Sequence, residues 1–559
     1  MRISFLNFNR VRSVGKKIAV AGIAFFTALS LAACGSTSKP ASSGSSMDKN
    51  AIITVNSVEP TGELLPGNVS DTASWKIATQ LFDGLVTFTN KGELVMDEAE
   101  SITPNADASV YTITLKKGLQ FSNGEAITAQ TYARAWSYAA NAANAQVGAS
   151  IFATIKGYDE LQAEGVDPQA QLSGLKVVDD QTLEVTLNAP DSSFSYKVGD
   201  VAFLPIPSVA YKDIHAFGKN PTVSNGPYVL EKWNINKNIK LRVNKKYSGV
   251  REPKNAGIDF VVYDSLDSAY SDLQGGNLDV LDTIPTSALA NYKNDHSIQA
   301  FSDSSSAFKS ITIPQHLAHF QGEEGALRRA AISYAIDRES VINKILSGAA
   351  TPATDFLAPV IAGYSKNLNG SEVLTYDAKK AKELWEQADA ISTWEGTFTI
   401  GYNADGPYKE WVDAVANSIS NSLDITAEGD AYATSKDFAT AVNKRETSGA
   451  FRSGLQSDYP HPKGYLFQAY DSASADGKGL NNGDYKSAEF DAFMDKAAAQ
   501  TELKDSIDTY HQSEELLLKD LPVIPLWYDN VSAGAAQKMK TVKFNYMGLP
   551  SYYELEKAE

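Results

Sequence analysis

Residues 327–353 read LRRAAISYAIDRESVINKILSGAATPA, and the spacing of their apolar side chains decides the fold class. Leu327, Ala331, Tyr334, Ala335, Val341, Ile342 and Ile345 recur at intervals of three, four or seven. That period predicts a helix over 327–346 with one face turned to a core. Elsewhere the period changes to two. YTITLKKG (111–118) sets Tyr111, Ile113 and Leu115 on one side, and TLEVTLNAP (182–190) does the same with Leu183, Val185 and Leu187. Both read as half-buried strands closed by turn residues. DSLDSAYSDLQGGNLDVLDTIP (264–285) reads as a helix stopped at Gly275-Gly276 and followed by a short strand. Helical and extended patterns alternate along the chain without a fixed repeat, which makes it mixed α/β.

The N-terminus follows other rules. Arg2, Arg10, Arg12, Lys16 and Lys17 precede an apolar run, 18–33, that is too short to span a bilayer. A basic start, a short apolar middle and a small-residue exit mark residues 1–33 as a secretory signal. The single cysteine, Cys34, stands at the exit. It is flanked by a Ser/Gly-rich tail, 34–49, that reads as a flexible linker. A reactive thiol needs a folded site with a nearby base or cation, which a linker does not supply. Removal of 1–33 takes away five positive charges and moves the net charge from −17 to −22. A chain so acidic is a poor partner for nucleic acid. With no disulfide to rely on, the remaining 526 of 559 residues need more than one core.

Seven segments carry a resemblance: LFDGLVTF (81–88), LKKGLQFSNGEAITAQTYARAWSYA (115–139), NGPYVLEKWNINKNIKLRVNKKY (225–247), LQGGNLDV (273–280), residues 327–353 with Ala335-Ile336-Asp337-Arg338-Glu339 at their centre, SDYPHPKGYL (457–466) and LLLKDLPVIPLWYDN (516–530). In order and spacing they are similar to the large extracytoplasmic solute-binding proteins, family 5, of oligopeptide and dipeptide ABC importers. Leu31-Ala32-Ala33-Cys34 resembles a bacterial lipobox, which implies lipid on Cys34 and attachment to the cell membrane by that lipid alone.

The resemblance implies a two-lobed, periplasmic-binding-protein-like α/β fold with a hinge and an extra subdomain. Lobe I would comprise 50–92, 207–307 and 531–559; the inserted subdomain, 93–206; lobe II, 308–530. It implies a monomeric receptor that needs no cofactor and passes peptides to a permease. Asp458, in the Asp-Tyr-x-x-Pro setting of Tyr459 and Pro462, would pair with the ligand's ammonium group. Gly454, Leu455, Gln456 and Ser457 would offer main-chain groups to an extended ligand, as would Phe82, Asp83 and Gly84 from the other lobe. The alternative for Asp458 is a solvated loop aspartate. Three departures weaken the peptide reading: Leu455 where the family often has Trp, His461 where peptide binders often carry an acid or amide, and SNGPY (224–228) in place of the commoner Thr-Gly pair. Receptors for cello-oligosaccharides, nickel and haem share the fold, so an oligosaccharide ligand is the runner-up, and a secreted hydrolase stands further back. His316 and His319 form an H-x-x-H, but no cysteine or nearby carboxylate completes a zinc signature. Neither a Walker loop nor a G-x-S-x-G elbow is present.

Overall fold

Ile53 and Val55, fully buried, alternate with less buried neighbours in the strand Ile52–Ser57. In the computed structural model, which describes residues 47–559, this strand lies inside a seven-stranded mixed sheet. The signal-like segment, Cys34 and most of the linker lie outside the described residues. Ile52–Ser57 runs parallel to Gly257–Val262 on one side and to Val280–Leu281 on the other. The hairpin Tyr228–Asn234 and Asn238–Val243 extends one edge, and Ala533–Ala536 followed by Ile298–Phe301 extends the other.

A four-stranded antiparallel sheet is inserted into this unit, in the order Ala99–Pro104, Val110–Leu115, Thr182–Thr186, Leu175–Asp179. Its period-two residues Tyr111, Ile113, Leu115, Leu183 and Val185 are all buried, as the alternation requires. The helix Ala129–Ala140 starts at a Thr128–Thr131 capping box. It anchors to the rest of the insert when Trp136 Nε1 donates to the Phe203 carbonyl at 2.7 Å. The apolar core of the insert is continuous with that of the first sheet, so the two pack as one body.

The second body has its own core around a six-stranded sheet: Ala350–Pro352, Val523–Asn530, Ser304–Thr312, Ala450–Leu455, Thr397–Asn403 and Thr426–Tyr432. The chain passes between the bodies at 301–304 and again at 530–533, side by side. Val531 N–H donates to the Asp303 carbonyl at 2.7 Å, and Ser305 Oγ to the Asp529 carbonyl at 2.7 Å. This two-lobed α/β architecture is the one the resemblance implies.

The stretch 327–346 is two helices, not one: Gly322–Ala335 and Arg338–Lys344. Asp337 breaks the period because its carboxylate caps Ser340 N–H at 2.9 Å. Ala331, Ala335, Val341 and Ile342 are buried as expected, but Leu327 and Tyr334 are only half-buried and Ile345 is exposed. Buried Arg328, Arg329 and Arg338 fill space that a hydrophobic pattern cannot anticipate. Arg338 donates to the carbonyls of Pro525 (2.8 Å) and Ser333 (3.0 Å) and to Ser333 Oγ (3.0 Å). It thereby ties the helix Gly322–Ala335 to the strand Val523–Asn530. Burial pushes its guanidinium down to about 9. Arg328 lies over the rings of Trp385 and Trp394, which pack edge to face on each other, and pairs with Glu324 and Asp389.

Arg338→Ala would strip these buried carbonyls of their donor and is expected to cost about 3 kcal/mol. Urea denaturation with an unchanged midpoint would contradict that. A second expectation concerns Glu514 and Asp355, two fully buried carboxyls close enough for the charge of one to act on the other. Burial, and for Glu514 the charge of Asp355 as well, raises both carboxyls, so the folded pair retains a proton that the unfolded chain releases in the usual carboxylate range. The sign follows: the stabilising contribution is complete below that range and lost as pH rises through the raised values. Glu514→Gln, which keeps a donor without a charge, should raise stability at neutral and alkaline pH and not at pH 4. Denaturant midpoints measured across that range check it.

Candidate functional site

The strand Ala450–Leu455 runs antiparallel to Ser304–Thr312 along its length. On its other side it meets Thr397–Asn403 only at Ile400–Ala450 and Gly401–Phe451. Beyond Phe451, the outer edge of 452–455 has no strand neighbour among the described residues. Such an edge can accept an added extended strand. Gly454 lies exposed on it, and a Cβ there would press on the Phe308 carbonyl at 2.7 Å, so glycine suits the position.

Two cations flank Gly454. Lys309 is its partner in the ladder and lies 3.2 Å from Asp529, whose charge raises the ammonium above its ordinary range. Arg452, two positions before Gly454, stacks over the Tyr408 ring at 3.6 Å and donates from Nε to Asn403 Oδ1 at 2.9 Å. Sequence reasoning missed both: strand register alone brings Lys309 beside Gly454, and Arg452, two positions away on the same face, carries no motif that marks it.

Past Leu455, which is half-buried, the chain turns away from the sheet. Gln456 Nε2 donates to Ser306 Oγ (3.1 Å) and to the Met547 carbonyl (3.2 Å). Ser457 is buried and its Oγ donates to the Tyr459 carbonyl at 2.8 Å. The carbonyl of Asp458 accepts from the Tyr546 hydroxyl at 2.9 Å, and the residue itself is exposed. Tyr459 is buried beneath it.

His461 takes no part in this surface. It is 1% exposed, its ring lies between those of Tyr196 (5.1 Å) and Tyr510 (5.8 Å), and its Nδ1 accepts from Lys463 N–H to cap the helix Pro462–Tyr470. Burial pushes its pKa down to about 3, so the ring is neutral. The departure at this position is therefore a packing and capping choice. Lys463 reaches Asp191 of the insert at 2.8 Å, and Lys197 reaches the same carboxylate at 2.9 Å. Burial works to raise Asp191, but the two ammonium groups overcome it and hold the carboxyl well below its usual range. Ser192 N–H adds a bond to the Ala498 carbonyl at 2.9 Å. The segment after Asp458 is thus pinned to the insert.

Gly454, Gln456 and Asp458 are exposed and Leu455 is half-buried, whereas Ser457 and Tyr459 lie buried between and beneath them. Phe82, Asp83 and Gly84 do not offer free main-chain groups, contrary to the expectation for them. Their N–H groups donate to Ala78 O, Asn225 Oδ1 and Asp83 Oδ1. Their carbonyls accept from Arg251, Asn225 and Glu98. The Asp83 carboxylate pairs with Arg251 at 3.2 Å and accepts from Tyr247 at 2.5 Å. These residues join the first lobe to the insert. His319 is paired with Glu324 at 2.6 Å, and among the described residues no group of three or more His, Cys, Asp or Glu is placed to hold a metal ion. No helix among them is long and apolar enough to cross a membrane.

The model of bacterial extracellular solute-binding proteins, family 5 (middle), matches residues 93–477. The chain is 24% identical over 531 residues to the oligopeptide-binding protein OppA of Bacillus subtilis (strain 168), covering 92% of this chain and 94% of that one. It is 25% identical over 495 residues to the probable deoxycholate-binding periplasmic protein YgiS of Escherichia coli (strain K12), covering 84% and 86%. Its fold matches the unliganded open form of the periplasmic murein tripeptide-binding protein MppA with a TM-score of 0.80, at 19% identity, over 92% of this chain and 99% of that one.

The Asp191 cluster makes an asymmetric prediction. Lys463→Met removes one charge-assisted hydrogen bond but leaves Asp191 paired with Lys197, and should cost about 1.5–2 kcal/mol. Asp191→Ala leaves two mostly buried ammonium groups without a counter-charge and should cost about 3–5 kcal/mol. Equal losses in chemical denaturation would show that the carboxylate is not the centre of the cluster.

Proposed function

Because the chain belongs to family 5 of the bacterial extracellular solute-binding proteins, we propose that it captures peptides for an ABC importer, with the free edge at 452–455 and Asp458 as its recognition surface. As a member of that family it is a binding protein and not an enzyme. The observation that carries the peptide reading is the combination of an unpaired strand edge, an exposed acidic residue just past one end and two cations beside Gly454. An extended peptide is a strand with the matching pattern: main-chain donors and acceptors between an ammonium and a carboxylate. Asp458 pairs with the ammonium; Gly454, Leu455, Gln456 and Ser457 supply main-chain groups; Tyr459 supports Asp458 from below. Lys309 and Arg452 face the carboxylate end or an acidic side chain. Main-chain pairing confers affinity without reading side chains, which suits a receptor for varied peptides.

The lobes in this reading divide near 307 and 530, with 93–206 as the insert and the paired crossings as the hinge. Lipid on Cys34 holds the receptor at the outer face of the cell membrane, where it delivers ligand to its permease. Two acyl chains suffice for stable anchoring.

The test is isothermal calorimetry with alanine peptides of two to five residues, each with a free or N-acetylated amine. Acetylation should weaken binding about tenfold or more, and Asp458→Ala should do the same. Acetylation should then cost little further in the Asp458→Ala variant, since the partner is already gone. Equal affinity for free and acetylated peptides in the parent protein would remove Asp458 from the ammonium role. Tight binding of oligosaccharides with none of peptides would replace the ligand class.

A further inference from the structure

Tyr546 belongs to the chain's last return, whose Met539, Tyr552 and Leu555 lie in the first lobe's core. Yet its hydroxyl reaches the second lobe and donates to the main-chain carbonyl of Asp458 at 2.9 Å. We propose that Tyr546 is a positioning residue for ligand recognition: it fixes the peptide plane at Asp458 and so aims the carboxylate, without touching ligand itself. This rests on the reading of Asp458 given above.

The residue is built to hold that position. It is 5% exposed, and its ring meets Phe88 edge-on at 5.6 Å. Phe88 stacks on Tyr196 of the insert at 5.9 Å, and Tyr196 meets His461 at 5.1 Å. One aromatic row therefore runs from the C-terminal return through the first lobe and the insert to the segment that follows Asp458. The loop presenting Tyr546 is a tight turn: Asn545 Oδ1 accepts from Met547 and Leu549 N–H, with Gly548 in the left-handed region at φ 84°. The loop is also fastened on both sides of the hydroxyl. Ser306 N–H donates to the Tyr546 carbonyl at 2.9 Å, and Gln456 Nε2 to the Met547 carbonyl at 3.2 Å. Burial, then the charges of Asp458 and Asp200, push the phenol well above its ordinary range, so it remains a donor.

A hydrogen bond to the main chain of an exposed residue on a turn restricts that residue's backbone rotation. Removing it leaves the Asp458 side chain present but less well aimed. The effect should therefore fall on recognition of the ammonium and not on the strand edge, which is built independently by the pairing of 450–455 with 304–312.

Tyr546→Phe retains the ring and its packing on Phe88, so it is the variant of choice. Calorimetry with trialanine and N-acetyl-trialanine should show the preference for the free amine reduced about fivefold, with the acetylated peptide nearly unaffected. A merely structural loss would weaken both peptides in parallel, and that outcome, or an unchanged preference, overturns the proposal. Amide hydrogen exchange in the ligand-free protein provides a readout that needs no peptide: residues 456–460 should exchange faster in the variant. Unchanged exchange there overturns the positioning role by itself. A parent protein that does not distinguish the two peptides, alongside faster exchange in the variant, would overturn the ammonium role of Asp458 and leave the restraint by Tyr546 standing.

Discussion

The strand Ser304–Thr312 is the constraint on which the rest depends. It enters the second lobe directly from the first crossing, pairs with Val523–Asn530 leading to the second crossing, and pairs on its other side with Ala450–Leu455. One ladder thus fixes both crossing segments and the register of the candidate site. That register sets Lys309 opposite Gly454, and the early end of the pairing with Thr397–Asn403 leaves 452–455 open. A shift by one residue would turn Arg452 and Gly454 to the opposite face of the sheet and dissolve the candidate site.

The buried charges divide between holding the lobes together and building each one. Arg338 and Arg328 act inside the second lobe, where their several donors satisfy carbonyls and carboxylates that a smaller side chain could not reach. Asp191 acts between the bodies, gathering Lys197 from its own side and Lys463 from the other. Because Lys463 sits five residues after Asp458, the segment around Asp458 is placed by the insert on one flank and by the C-terminal return on the other. The candidate site and the lobe arrangement therefore share the same few residues, which is what the proposed function needs if ligand capture is coupled to hinge motion.

Much of the fold was legible from periodicity. The strands at 110–115 and 182–186 and the helix stopped at Gly275 appear where their patterns put them, because one face of each is buried and the alternation records it. The single helix over 327–346 was not found, because Asp337 offers its side chain as a cap and that local bond competes with helix continuation. Asp458 and its neighbours were visible through the Asp-Tyr-x-x-Pro resemblance. Lys309 and Tyr546 were not: they lie 149 and 88 positions from Asp458, and only strand pairing and the returning C-terminus gather them; Arg452, six positions away, belongs to no motif. His461 looked like a change in ligand chemistry and proves to be a helix cap, a distinction that depends on burial and not on residue type.

A crystal structure of the protein with its bound ligand tests the central claim most directly. The account predicts an extended peptide hydrogen-bonded to the outer edge of 452–455, its ammonium within hydrogen-bonding distance of the Asp458 carboxylate. A ligand seated away from that edge, or one without an amine at Asp458, would contradict it.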